Sequence, residues 1–140
     1  MIILDTNVLS ALMQQQPDRQ VVAWLDDQPA ESIWLSSITL FEARYGLALL
    51  PADRRKDLLE QRFEELLQDD LQNRVLHFDT HAAAHAARLA ADRKTRGNPV
   101  DMRDTFIAGI ALARRATLAT RNVRHFDDLP VPVVNPWSDA

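Results

Sequence analysis

Short β-rich runs recur along this chain with a helix signal after nearly every one, and that alternation is the strongest constraint on its fold. Ile2-Ile3-Leu4, Ile33-Trp34-Leu35, Val75-Leu76-His77-Phe78 and Thr117-Leu118-Ala119-Thr120 read as strands, and Val131, Val133 and Val134 as a short fifth. Asp5-Thr6-Asn7 offers helix-capping chemistry, and Pro17-Asp18 opens a second helix with Val21, Val22 and Leu25 on one face. Thr39 and Glu42 have capping-box spacing ahead of a helix to about Leu50. Pro51-Ala52-Asp53 breaks that helix and starts a polar one carrying Leu58, Leu59, Phe63, Leu66 and Leu67 at helical spacing. Asp79 caps an alanine-rich helix that Gly97-Asn98-Pro99 stops near Arg96, and Asp101 opens the next, striped by Phe106, Ile107, Ile110 and Ala111. Strands alternating with helices predict an α/β fold, a mostly parallel sheet of about five strands covered on both faces. The length, 140 residues without repeat, linker or low-complexity stretch, predicts one domain over 1–140.

Composition enters by exclusion. Without cysteine there are neither disulfides nor thiolate metal sites. Three glycines leave no Walker loop and no dinucleotide fingerprint. No stretch reaches the roughly 20 apolar residues that span a membrane, and the opening residues lack a signal-peptide pattern, so a cytoplasmic protein is expected. A net charge of −4 argues against a generally basic nucleic-acid coat. Arginine clusters at Arg93, Lys94, Arg96 and Arg103, and at Arg114, Arg115, Arg121 and Arg124, read mainly as solvated helix faces.

Asp5, Glu42, Asp104 and Asn122 are the chemically pointed positions. In a parallel α/β sheet each strand's carboxyl end feeds the amino end of a helix, and ligands bind at that edge. Asp5 directly follows the first strand, Asn122 follows the Thr117–Thr120 strand, and Glu42 and Asp104 lie three residues after caps at Thr39 and Asp101. All four therefore project toward one rim. Each also has a plain reading alone: an N-cap, a capping-box partner, an acid favoured by the helix dipole, a turn asparagine. Together, three carboxylates in one cleft repel one another unless a cation joins them, so a divalent-metal site is expected.

Other chemistry is weaker. His81 and His85 have the spacing of two ligands on one helix but no third, and fit a polar stripe better. Ser36-Ser37 lacks a glycine elbow and a histidine partner. Trp24, Trp34 and Trp137 read as core or interface residues rather than base-stacking platforms.

Leu4-Asp5-Thr6-Asn7-Val8, Phe41-Glu42-Ala43-Arg44-Tyr45-Gly46, Asp104 with Phe106-Ile107-Ala108, Ala119-Thr120-Arg121-Asn122 and Asn135-Pro136-Trp137 stand in order along the chain. These blocks resemble PIN-domain toxins, and most closely the VapC and FitB ribonucleases of type II toxin–antitoxin systems. The resemblance implies a PIN-like α/β/α sandwich, paired as a homodimer. It implies an endoribonuclease that uses Mg²⁺ or Mn²⁺ to hydrolyse RNA phosphodiester bonds by metal-activated water, acting on tRNA or other structured RNA. A small antitoxin with a DNA-binding domain would neutralise it in a heteromeric complex, its carboxyl-terminal segment reaching into the acidic cleft.

By position, Asp5, Glu42 and Asp104 match the family's acidic triad. Asp5 and Asp104 are the expected direct metal ligands, with Glu42 binding directly or through a water. Thr6 and Asn7 match the support around the first acid, Thr120 lines the same edge, and Arg121 and Arg124 are placed to position the RNA backbone. The fourth position departs from the pattern. FitB-like sequences carry an acid where this chain has Asn122, and many VapC sequences carry one where it has His125. Asp127 and Asp128 are the nearest replacements in sequence. Two other readings follow: a PIN-like binding or regulatory module without catalysis, and a phosphatase or DNA nuclease using the same acids.

Overall fold

A computed structural model describes residues 1–138. Among the described residues five parallel strands form one sheet, in the order β3-β2-β1-β4-β5. They are β1 (Ile2–Leu4), β2 (Ile33–Ser36), β3 (Val75–Leu76), β4 (Thr117–Ala119) and β5 (Val133–Val134). Six α-helices connect them: α1 (Thr6–Met13), α2 (Arg19–Asp26), α3 (Ser37–Leu49), α4 (Arg54–Glu65), α5 (Thr80–Thr95) and α6 (Met102–Arg114). The α/β expectation is met, and the sheet is parallel throughout.

Period-two alternation splits the core into two layers. Leu4, Ile33, Leu35 and Ala119 face α1, α2, α3 and α4, packing with Val8, Leu9, Val21, Leu47 and Phe63. Ile3, Leu76 and Leu118 face the opposite way, onto Ala82 and Leu89 of α5 and Ile107, Ala108, Ile110 and Ala111 of α6. Strand residues that point to both faces must be apolar on both, which is why these short runs read as continuous β-rich stretches. Trp24, Trp34 and Trp137 pack partly buried against these cores.

The alanines of α5 have a packing purpose. A Cβ at Gly109 of α6 would lie 2.6 Å from the Ala82 carbonyl oxygen and 2.7 Å from Ala86 Cβ. Small residues on both helices let their backbones meet, and that contact fixes the approach of α6 to the sheet.

Several boundaries differ from expectation, among them the end of β4 at Ala119, which leaves Thr120 outside the strand. Helix α3 begins earlier, because Ser36 Oγ accepts from Thr39 N and caps it. Thr39 is fully buried inside the helix, so Glu42 sits beyond the first turn and is not a capping-box acid. Strand β3 ends at Leu76, as the chain turns so that Asp79 N reaches the His77 carbonyl. Val131 lies outside β5. No described helix is long and apolar enough to cross a membrane.

Candidate active site

The chain order of the sheet creates the site. From β1 the connections run outward through β2 to β3, then return to β4 on the other side of β1 and continue to β5. Neighbouring strands whose connections leave in opposite directions open a crevice at their carboxyl ends. Here that crevice lies between β1 and β4, and its walls end in Asp5 and Thr120.

Asp5 retains 3% of its exposure and is clamped from several sides. Its Oδ1 accepts from Thr6 N at 2.8 Å, as the N-cap of α1, and its Oδ2 accepts from Thr120 Oγ1 at 2.7 Å. Asn7 Nδ2 makes longer contacts of 3.4 Å to both Asp5 Oδ2 and Thr120 Oγ1, while Asn7 Oδ1 accepts from Arg121 N. Thr6 Oγ1 donates to Glu42 Oε1 at 2.8 Å and tethers α3 to the end of β1. Burial pushes the Asp5 carboxyl above the usual carboxylate range. The Thr120 and Thr6 hydrogen bonds pull the other way, and the charges of Asp104 and Glu42 add to the rise. The three acids therefore share one electrostatic neighbourhood.

Asp104 lies in the first turn of α6, whose N-cap is Asp101, as expected. His125 Nδ1 is 2.8 Å from its Oδ2. Asn122 is exposed; its backbone N–H is held by Thr120 Oγ1, and it precedes a 3₁₀ turn, Val123–Phe126. Arg124 rides exposed on that turn. Arg121 places its guanidinium 4.9 Å over the Trp137 ring.

Asp128 is already engaged. Arg93, with 1% exposure, grips its two oxygens at 2.9 Å each, and Arg96 adds a contact at 3.0 Å. The replacement of a fourth acid by Asp128 is thereby corrected: its charge is spent on a structural ion pair. Arg103, read from the sequence as part of a solvated basic cluster, has its Nη1 3.6 Å from Glu42 Oε2 and its Nε 3.5 Å from Asp101 Oδ1.

Among the described residues no three His, Cys, Asp or Glu side chains close tightly enough to cage an ion outright. Mg²⁺ dehydrates reluctantly and uses only one or two carboxylates directly, so an open cluster with oxygen donors fits a hydrated ion. Among the described residues Asp5 has no cationic partner, which leaves its buried carboxylate to be balanced. The donor set suits a hard divalent cation.

A family model described as PIN domain matches residues 2–131. The chain belongs to the PIN-domain family. This PIN domain is 41% identical over 140 residues to VapC ribonuclease Y4jK of Sinorhizobium fredii, covering all of both chains. It is 40% identical to Toxin FitB of Neisseria gonorrhoeae over 139 residues, 99% of this chain and 100% of that one. A solved structure of FitAB bound to an IR36 DNA fragment superposes with a TM-score of 0.89 at 40% identity, covering 99% of this chain and 96% of that one.

Proposed function

We propose that this PIN domain is a divalent-metal-dependent endoribonuclease, the toxin of a type II toxin–antitoxin pair. The observation that carries the reading is the buried, cation-free Asp5 carboxylate at the β1/β4 crevice, with Glu42 and Asp104 close enough to act on its charge. The ribonuclease and toxin names of relatives near 40% identity along the whole chain support it.

Asp5 and Asp104 hold Mg²⁺ or Mn²⁺ directly, and Glu42 acts directly or from one step further out. When bound, the ion supplies Lewis acidity and neutralises charge building on the phosphoryl oxygens of RNA. The chain's own residues supply order. Thr120 and Asn7 hold the Asp5 carboxylate in one orientation, and Thr6 does the same for Glu42. Asn122 offers a neutral oxygen at the crevice mouth. Arg103, 3.6 Å from Glu42 Oε2, supplies positive charge at the rim for the phosphate backbone. Arg124 and Arg121 flank the same rim, although the stacking of Arg121 on Trp137 limits its reach.

The substrate in this reading is structured RNA, tRNA first, and the location is the cytoplasm. The partner is a small DNA-binding antitoxin, a reading supported by the FitAB assembly on DNA. Phe41, Tyr45 and Leu49 leave an exposed apolar stripe along α3. We assign this surface to assembly, with the antitoxin or with a second copy in a homodimer.

The decisive experiment is Asp5→Asn. The folded variant should lose cleavage of total tRNA in Mg²⁺ while keeping the wild-type circular dichroism spectrum. Wild-type cleavage by the purified variant would falsify the assignment.

A further inference from the structure

We infer that His125 is a positioning residue for Asp104, holding one oxygen of its carboxylate so that the other is presented to the divalent ion. The inference rests on the nuclease reading above and deepens it.

The bond itself is short: His125 Nδ1 lies 2.8 Å from Asp104 Oδ2 across 21 residues of sequence. A carboxylate only accepts, so this contact requires the proton on Nδ1. Among the described residues nothing donates to Asp104 Oδ1, which leaves that oxygen for a ligand. An acid in place of His125 would add a further negative charge to the cluster. The imidazole adds a donor instead, and ties down the carboxylate already there.

The support behind the histidine is what makes a fixed geometry credible. Arg93 Nη2 donates to the His125 carbonyl at 2.7 Å, and Nη1 donates to Thr105 Oγ1 at 3.1 Å. One buried guanidinium therefore pins the backbone of His125 and the residue next to Asp104 at once. Phe126, fully buried beside His125, anchors the turn from the other side. Partners that orient metal-binding side chains are worth about 10- to 100-fold in metal affinity. An exposed histidine on a free loop would have no such influence.

Two measurements test this. Long-range ¹H–¹⁵N NMR on metal-free protein at mildly alkaline pH reports the imidazole tautomer, with His125→Asn identifying the signal. The expected result is the Nδ1–H form for His125, shifting toward Nε2–H in Asp104→Ala. An Nε2–H form in the wild type, or no change in Asp104→Ala, overturns the inference. Calorimetric titration with Mn²⁺ is the second arm. His125→Ala should bind about 10- to 100-fold more weakly, and His125→Asn, whose amide N–H can replace the lost donor, should recover most of that loss. Equal affinity in all three proteins also overturns it. A wild type that neither binds Mn²⁺ nor cleaves RNA sinks the nuclease reading, and the tautomer arm then still decides the His125–Asp104 bond.

Discussion

Thr120 Oγ1 donates a 2.7 Å hydrogen bond to Asp5 Oδ2, joining residues 115 positions apart at the tips of adjacent strands. The bond holds an acid where burial and two other carboxylates make its charge costly. Functional groups kept in such places lower the stability of the protein that carries them.

Metal-free Asp5→Asn should therefore melt at a higher temperature than the wild type at neutral pH. The sign follows from the raised Asp5 pKa: the folded state holds this proton more tightly than the unfolded chain does. Wild-type stability falls as pH rises from the ordinary value of 3.8 through the raised folded value. The variant lacks that loss, so the gap between the two melting curves should open across this window and then level off. Melts in a chelator at several pH values measure it, and a variant less stable than wild type at neutral pH contradicts the account.

Asn122→Asp tests the fourth position. Asn122 is exposed, with its backbone tied to Thr120 at the crevice mouth. An added carboxylate there should tighten Mg²⁺ or Mn²⁺ binding by roughly tenfold, about 1.4 kcal/mol, or create a second binding event in calorimetry. An unchanged titration would mean that position 122 does not reach the ions.

The strands and the helices were legible because period-two and helical patterning report local structure directly. The α3 start was not, because Thr39 and Glu42 mimic a capping box by spacing alone. Ser36, one of two adjacent serines, is the real cap. Arg93 looked like one member of a basic run. Its place was readable in principle, since Ala82, Ala86, Leu89 and Arg93 share the buried stripe of α5. His125 and Arg103 act through partners distant in sequence, and no local pattern records such contacts.

Asp128→Asn should show how much the Arg93 clamp contributes. Arg93 is buried, and weakening its partner leaves an uncompensated charge, a change that typically costs about 3–5 kcal/mol. The Arg93 guanidinium holds the Asp128 carboxyl below the usual carboxylate range, chiefly by hydrogen bonding. A lowered folded pKa supplies stability that is present above 3.8 and disappears as pH falls through the folded value. Denaturant unfolding should therefore separate wild type from variant at neutral pH, with the gap shrinking in acid. A pH-independent gap would assign the loss to packing instead.

Gly109→Ala probes the helix contact that sets Asp104. The new methyl would meet the Ala82 carbonyl oxygen at 2.6 Å and Ala86 Cβ at 2.7 Å, so α5 and α6 must separate. Overpacking of this kind costs about 1–3 kcal/mol, and the better helix propensity of alanine returns about 1 kcal/mol of it. The site should suffer more than the fold, because moving α6 moves Asp104 against the His125 turn that Arg93 pins. RNA cleavage should fall further than the loss of folded protein explains. Ala86→Gly in the same chain removes the methyl clash but leaves the carbonyl contact, so it should restore activity only in part. Full activity in Gly109→Ala alone would mean that α6 reaches its position without this close approach.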